Sequence, residues 1–194
     1  MDAARYWLAL ALLVLMPPAL LHWFIVHPFI HTWRRLGPVR AYALVWTPLI
    51  LLMILLFQAR GVLLAREFGT RWPLVIAGGA LLAAALGLAL WVRRWMSVAM
   101  LLGLPEIAPG RSPPRLVTGG PYAHVRHPRY LELSVGLLGY ALLTNYLATW
   151  VLYLLALPAL YAVVLLEERE LRERFGAAYA EYCRRVPRLI PRLR

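Results

Sequence analysis

The chain has 194 residues, of which 62% are hydrophobic and only 15% charged, with a formal net charge of +12. Soluble domains carry about a quarter charged residues, so this composition excludes an ordinary soluble fold and points to an integral membrane protein. All 21 basic residues are arginine, which stays charged in proteins. They lie between apolar runs and in the tail, a placement that suits anionic lipid headgroups and argues against nucleic acid as a partner.

Five apolar runs follow one another, near 6–26, 41–59, 74–92, 130–144 and 147–166, against the roughly 20 residues needed to cross a bilayer. The first contains Pro17 and Pro18, which should kink it. With one N-terminal arginine, a long apolar core and no small-residue cleavage site, it reads as a span and not as a cleaved leader. His27 and His31 stand four apart, but Pro28 interrupts the helix between them and no carboxylate is near, so they read as interfacial histidines and no metal site is expected. Only TNYLAT separates the fourth run from the fifth, which predicts a tight helical hairpin with Asn145 near its turn. The single cysteine, Cys183, excludes an internal disulfide.

The arginines predict orientation. The hairpin turn has none, whereas 93–129 carries Arg93, Arg94, Arg111, Arg115, Arg126 and Arg129, and eight more follow from Arg169 onward. Both flanks of the hairpin are therefore expected in the cytoplasm, with the N-terminus outside. Arg34, Arg35 and Arg40 agree with that topology; Arg60, Arg66 and Arg71 oppose it.

Chemistry is expected on the cytoplasmic side. Segment 104–129 is rich in Pro and Gly, too broken for a helix and too long for an ordinary connection, which makes it a candidate binding loop. Beyond Leu165 the fifth run continues into a polar helix in which Glu168, Leu171, Phe175, Tyr179 and Tyr182 recur at spacings of three and four, giving an apolar, aromatic face. Glu168 with Arg172, and Glu170 with Arg174, have the order of surface ion pairs. Glu167 and Glu168 differ from ordinary surface carboxylates because they end an apolar run, VLYLLALPALYAVVLL, where adjacent negative charges need a cationic partner. Tyr122, Tyr130, Phe175, Tyr179 and Tyr182 read either as a headgroup belt or as the frame of a flat ligand.

LVTGGPYAHVRHPRYLE, a short hairpin, and EERELRERFGAAYAEYCRRVPRLIP together resemble the C-terminal half of the isoprenylcysteine carboxyl methyltransferase and phospholipid methyltransferase superfamily. Its recurrent pattern is LV..G.Y...RHP.Y, a hairpin, then EE..L...FG..Y..Y...V.R..P. The likeness covers about 116–191; the first 100 residues match only as generic spans. Many members have a glycine where this chain has Glu132, a departure that touches the subfamily more than the cofactor.

The resemblance implies an all-α polytopic membrane enzyme with about five transmembrane helices and a cytoplasmic C-terminal amphipathic helix. Residues 1–103 would hold the first three spans and 104–194 the catalytic half. It implies methyl transfer from S-adenosylmethionine to a lipidic or prenylated acceptor, a carboxylate being favoured, at the cytoplasmic face of the inner (plasma) membrane. By position, Arg126, His127, Pro128 and Tyr130 stand at RHP.Y, Glu167 and Glu168 at EE, and Leu116, Val117, Gly120 and Tyr122 in the preceding loop. Chemically, Glu167 or Glu168 suits the ammonium or ribose of the cofactor, His127 and loop N–H groups its carboxylate, and Tyr130, Tyr179 or Tyr182 its adenine. Arg126 and Glu168 are the candidate catalytic residues, with Arg126 free to hold an anionic acceptor. An NADPH-dependent lipid or sterol reductase, a phospholipid N-methyltransferase and a non-enzymatic lipid-binding scaffold are the alternative readings.

Overall fold

A computed structural model describes residues 2–26, 28–96 and 115–191. His27, the side chain of His31 and the part of the expected binding loop from 104 to 114 lie outside the described residues. Seven α-helices occur among those described: α1 (Asp2–Val26), α2 (Ile30–Leu36), α3 (Pro38–Gln58), α4 (Arg60–Leu63), α5 (Trp72–Arg93), α6 (Pro128–Thr144) and α7 (Leu147–Arg185). A single backbone bridge pairs Glu67 with Tyr146, and no strand occurs among the described residues. The fold is all-α, as expected.

Four helices, α1, α3, α5 and α7, are long and apolar enough to cross a membrane. The fourth apolar run forms α6, whose 17 residues reach only about 26 Å at 1.5 Å per residue, short of the roughly 30 Å hydrocarbon core. Local chemistry marks the boundaries. Pro38 opens α3 after Gly37, held at φ 77°, and Pro128 opens α6, because a proline in the first turn gives up only an N–H that has no helical partner anyway. Asn145 closes α6 in the left-handed conformation, at φ 54°, as short polar side chains tolerate. α1 runs on through Pro17 and Pro18.

α5 and α6 pack backbone to backbone. A Cβ on Gly78 would lie 2.7 Å from the Gly139 carbonyl oxygen, and one on Gly139 would lie 2.9 Å from that of Gly78. Small residues permit this approach, which in lipid replaces hydrophobic driving force by van der Waals contact. α1 completes the bundle through Leu20 packed with Tyr130, Leu137, Ala156, Leu160, Val163 and Val164. Outward-facing residues such as Leu51, Leu55, Leu154 and Leu155 are more than half exposed, as lipid-facing residues should be.

The bundle has two polar ends. At one, Asn145 accepts from the Phe68 N–H and its side-chain amide donates to the Gly69 carbonyl, so the hairpin turn and the loop before α5 are on the same side. Arg5, 1% exposed, donates to the Thr144 carbonyl at 2.7 and 3.1 Å, to Glu67 at 2.7 Å and to Asp2 at 3.1 Å. The RHP.Y and EE motifs occupy the other end.

Candidate active site

α7 carries both glutamates past the end of its apolar stretch. Neighbouring helical residues point about 100° apart, and the two side chains have different surroundings. Glu168 is completely buried. Its Oε1 accepts from Arg126 Nη2 at 2.7 Å and Nε at 3.1 Å and from Arg188 Nε at 3.0 Å, with His127 Nε2 at 3.3 Å. Its Oε2 accepts from Arg188 Nη2 at 2.9 Å and Arg172 Nη2 at 3.1 Å. One carboxylate thus holds three guanidinium groups and an imidazole. Glu167 is 31% exposed at its side chain and stands 3.6 Å from His127 Nδ1, so the imidazole bridges the two carboxylates.

Arg126 joins this hub to the C-terminal segment. Its Nη1 donates to the carbonyls of Cys183, in the last turn of α7, and of Val186, the residue that caps it, at 3.0 and 2.9 Å, a favoured place for a cation. The backbone N–H groups of Arg126 and His127 donate to the carbonyls of Pro187 and Arg188. These contacts require the chain to double back. A straight helix would put residue 185 about 25 Å beyond Glu168, yet Arg188 reaches both Glu168 and the Tyr161 hydroxyl. The reversal occurs at Gly176, at φ 50° and ψ −122°, a conformation essentially restricted to glycine.

The preceding loop is held from both sides. Gly119 and Gly120 lie against the Trp95 ring so closely that a Cβ on either would overlap it. Tyr122 donates to the Met96 sulfur at 2.6 Å and accepts at its carbonyl from the Tyr182 hydroxyl at 2.6 Å. Leu116 packs with Tyr179, Tyr182, Val186 and Phe175. Val117 is half-buried in the same loop, and Pro128 is buried at the start of α6.

The expected residues therefore gather, with three differences from expectation. Arg126 is not open to an acceptor: it is 9% exposed at its side chain and committed to Glu168 and two carbonyls. The Glu168–Arg172 bond forms, but its carboxylate is wholly buried and not part of a surface pair. Tyr130, Tyr179 and Tyr182 are 7%, 1% and 3% exposed, so they are interior residues and no headgroup belt. Arg188 and Trp95 were missed by sequence reasoning. Arg188 carried a signal, since it stands at the arginine of V.R..P; Trp95 carried none.

Electrostatics follow the geometry. Burial of the His127 ring works against its charged form, but hydrogen bonds and charge from Glu167 and Glu168 outweigh it and raise the imidazole above its usual value. The hydrogen bond to Glu168 raises Arg188 further. Burial pushes the phenols of Tyr122 and Tyr182 up, so both stay neutral. The Tyr179 hydroxyl is buried with no hydrogen-bond partner among the described residues.

An apolar helical bundle carrying a buried carboxylate–guanidinium hub at one end defines a polytopic membrane protein with a polar end. The phospholipid methyltransferase family model matches residues 74–178, more than half of the chain, which belongs to that family. The match begins in α5, upstream of the motifs. Among curated relatives, the chain is 31% identical over 133 residues to the nickel-cobalt-cadmium resistance protein NccN of Alcaligenes xylosoxydans xylosoxydans, covering 61% of this chain and 62% of that protein. It is 42% identical over 85 residues to the cobalt-zinc-cadmium resistance protein CzcN of Cupriavidus metallidurans, covering 43% and 39% of the two chains. It is 36% identical over 77 residues to the protein-S-isoprenylcysteine O-methyltransferase of Schizosaccharomyces pombe, covering 39% and 33%. The matches thus span less than two thirds of each relative's length. No solved structure matches. No group of three or more metal-ligating side chains that could hold an ion occurs among the described residues.

Proposed function

We propose that the chain is a membrane methyltransferase that takes its methyl group from S-adenosylmethionine and transfers it to a lipidic or prenylated acceptor at the cytoplasmic membrane surface. The observation that carries this reading is the meeting of the two motifs through one imidazole: His127 stands 3.3 Å from Glu168 and 3.6 Å from Glu167.

The donor set fits the cofactor. Glu167, at the partly open edge, suits an ammonium or ribose hydroxyl, since charge-assisted hydrogen bonds are the strong ones. His127, whose charged form is favoured, suits a carboxylate. Tyr122 and Tyr130, beside Glu167, offer aromatic walls, and the buried Tyr179 hydroxyl offers one more polar group. When bound, S-adenosylmethionine supplies an electrophilic methyl group on a sulfonium. The protein's part is alignment and exclusion of water: the hub fixes His127, and the doubled-back C-terminal segment covers the loop 115–127. Arg126 and Glu168 act as positioning residues. With Arg126 committed, no free guanidinium there singles out a carboxylate acceptor, so prenyl-cysteine carboxylates and ethanolamine headgroups compete on equal terms.

The test is transfer of tritiated methyl from S-adenosylmethionine by the purified protein into total lipid and prenyl-peptide extracts. Label in an extractable lipidic or prenylated product supports the reading. Absence of any labelled product, together with calorimetric binding of NADPH in place of S-adenosylmethionine, would transfer the assignment to the reductase class.

A further inference from the structure

The hub carries more positive charge than it uses. Glu168 is surrounded by Arg126, Arg172 and Arg188, and the nearest second carboxylate, Glu167, answers His127. A guanidinium has five N–H donors. Among the described residues Arg172 uses one of them, towards Glu168, and Arg188 uses three, towards Glu168 and Tyr161. The side chains of Arg172 and Arg188 are 57% and 31% exposed, so their remaining donors face outwards from a carboxylate that is itself covered.

That outward face adjoins apolar and aromatic side chains. Arg188 lies alongside Tyr161, its guanidinium 5.6 Å from the ring centroid. Tyr161 is about two turns, roughly 10 Å, before Glu168 along α7, inside the apolar stretch. Tyr161 and Leu165 are each 44% exposed, and Ile190, two residues after Arg188, is 82% exposed. Two cationic forks thus stand at the end of an apolar and aromatic flank.

We propose that Arg172 and Arg188 bind the phosphate of an anionic phospholipid of the surrounding leaflet, with Tyr161 and Leu165 against its acyl chains. Charge complementarity selects the occupant. The surplus is positive, and Glu168, the carboxylate between the two arginines, has no exposed surface with which to meet the ammonium of a zwitterionic headgroup. The apolar flank favours a lipid over a free anion. Such a lipid is a bound partner and not a methyl acceptor, so the site stands apart from the proposed reaction.

The test is a titration of the full chain in dodecyl maltoside with dihexanoyl phosphatidylglycerol, dihexanoyl phosphatidylcholine and inorganic phosphate, read by thermophoresis. Saturable binding of the glycerol lipid is expected at about 5-fold or more tighter affinity than the choline lipid, since each basic group near an anionic headgroup contributes about one such factor. Arg172→Gln, which loses one hydrogen bond from an exposed side chain, should weaken the glycerol lipid by about 5-fold with circular dichroism unchanged. Arg188→Gln should do the same if its C-terminal segment stays docked, and Arg172→Gln decides the matter if it does not. Arg169→Gln, on an 80% exposed side chain paired with Glu173, should leave the affinity as it is. Equal affinity for the two lipids, or an unaffected Arg172→Gln protein, overturns the site. Inorganic phosphate binding as tightly as the glycerol lipid overturns the lipid and leaves a simple anion site.

Discussion

Two adjacent glutamates with the same chemistry have unlike surroundings, and their substitutions should separate. Glu168→Gln removes the charge that neutralises Arg126 and His127, whose side chains are 9% and 3% exposed. Uncompensated buried charge of this kind costs roughly 3–5 kcal/mol, so the variant should melt well below the parent in detergent. Glu167→Gln, at a partly exposed position, should leave the melting temperature within a degree or two of the parent. It should instead weaken S-adenosylmethionine by about 1.5–3 kcal/mol, or roughly 10- to 150-fold by calorimetry. The opposite pattern would reverse the two roles. His127 adds a pH signature. Its native pKa is raised above the usual imidazole value of about 6.5, so its contribution to stability is fully present below that value and is lost as pH rises through the raised native one. The parent should lose stability over that window relative to His127→Gln, and parallel curves for the two proteins would remove the bridge from the account.

At the level of elements, the tightest joint is between α5 and α6, and two neighbouring glycines test it. A Cβ on Gly78 would meet the Gly139 carbonyl and the Leu143 backbone, whereas nothing lies within 4 Å of one on Gly79. Gly78→Ala should therefore destabilise by about 1–3 kcal/mol through overpacking. Gly79→Ala should be neutral or stabilising by up to about 1 kcal/mol. Thermal melts of both in one detergent check this; equal effects would mean that the helices can move apart freely. Because α6 is the short helix and begins at the RHP.Y motif, the joint also sets the height of His127 relative to α7. A shift of α6 along α5 would move the imidazole off Glu168.

For the molecule as a whole, the proposed orientation puts the hairpin turn outside and the hub in the cytoplasm. In a Cys183→Ser background, Phe68→Cys should react with a membrane-impermeant maleimide in intact cells, and Arg169→Cys only in inverted vesicles. Both positions are exposed, at 50% for Phe68 and 80% for the Arg169 side chain. The reverse result places the hub outside. Much of this plan was legible in the sequence. Apolar runs gave the four helices long enough to span, whereas the fourth of the five runs forms only the short α6; Asn145 gave the turn, and the paired motifs gave the residues that meet. The unequal burial of Glu167 and Glu168 was not legible, because it depends on which way α7 faces the loop. Nor was the commitment of Arg126, because the carbonyls it caps come within reach only after Gly176 reverses the chain, 50 residues downstream of it.

Arg5 gives the fold an order of assembly. Its guanidinium enters the apolar bundle one turn into the first span, and apart from Asp2 its acceptors are Glu67, Thr70 and the carbonyl of Thr144, 139 residues later. Until the hairpin has been made, that charge has to stay at the water boundary, since an unpaired arginine within hydrocarbon is costly. α1 therefore settles only once the hairpin is in place, and the docking of Arg5 on Thr144 reports that the bundle has closed.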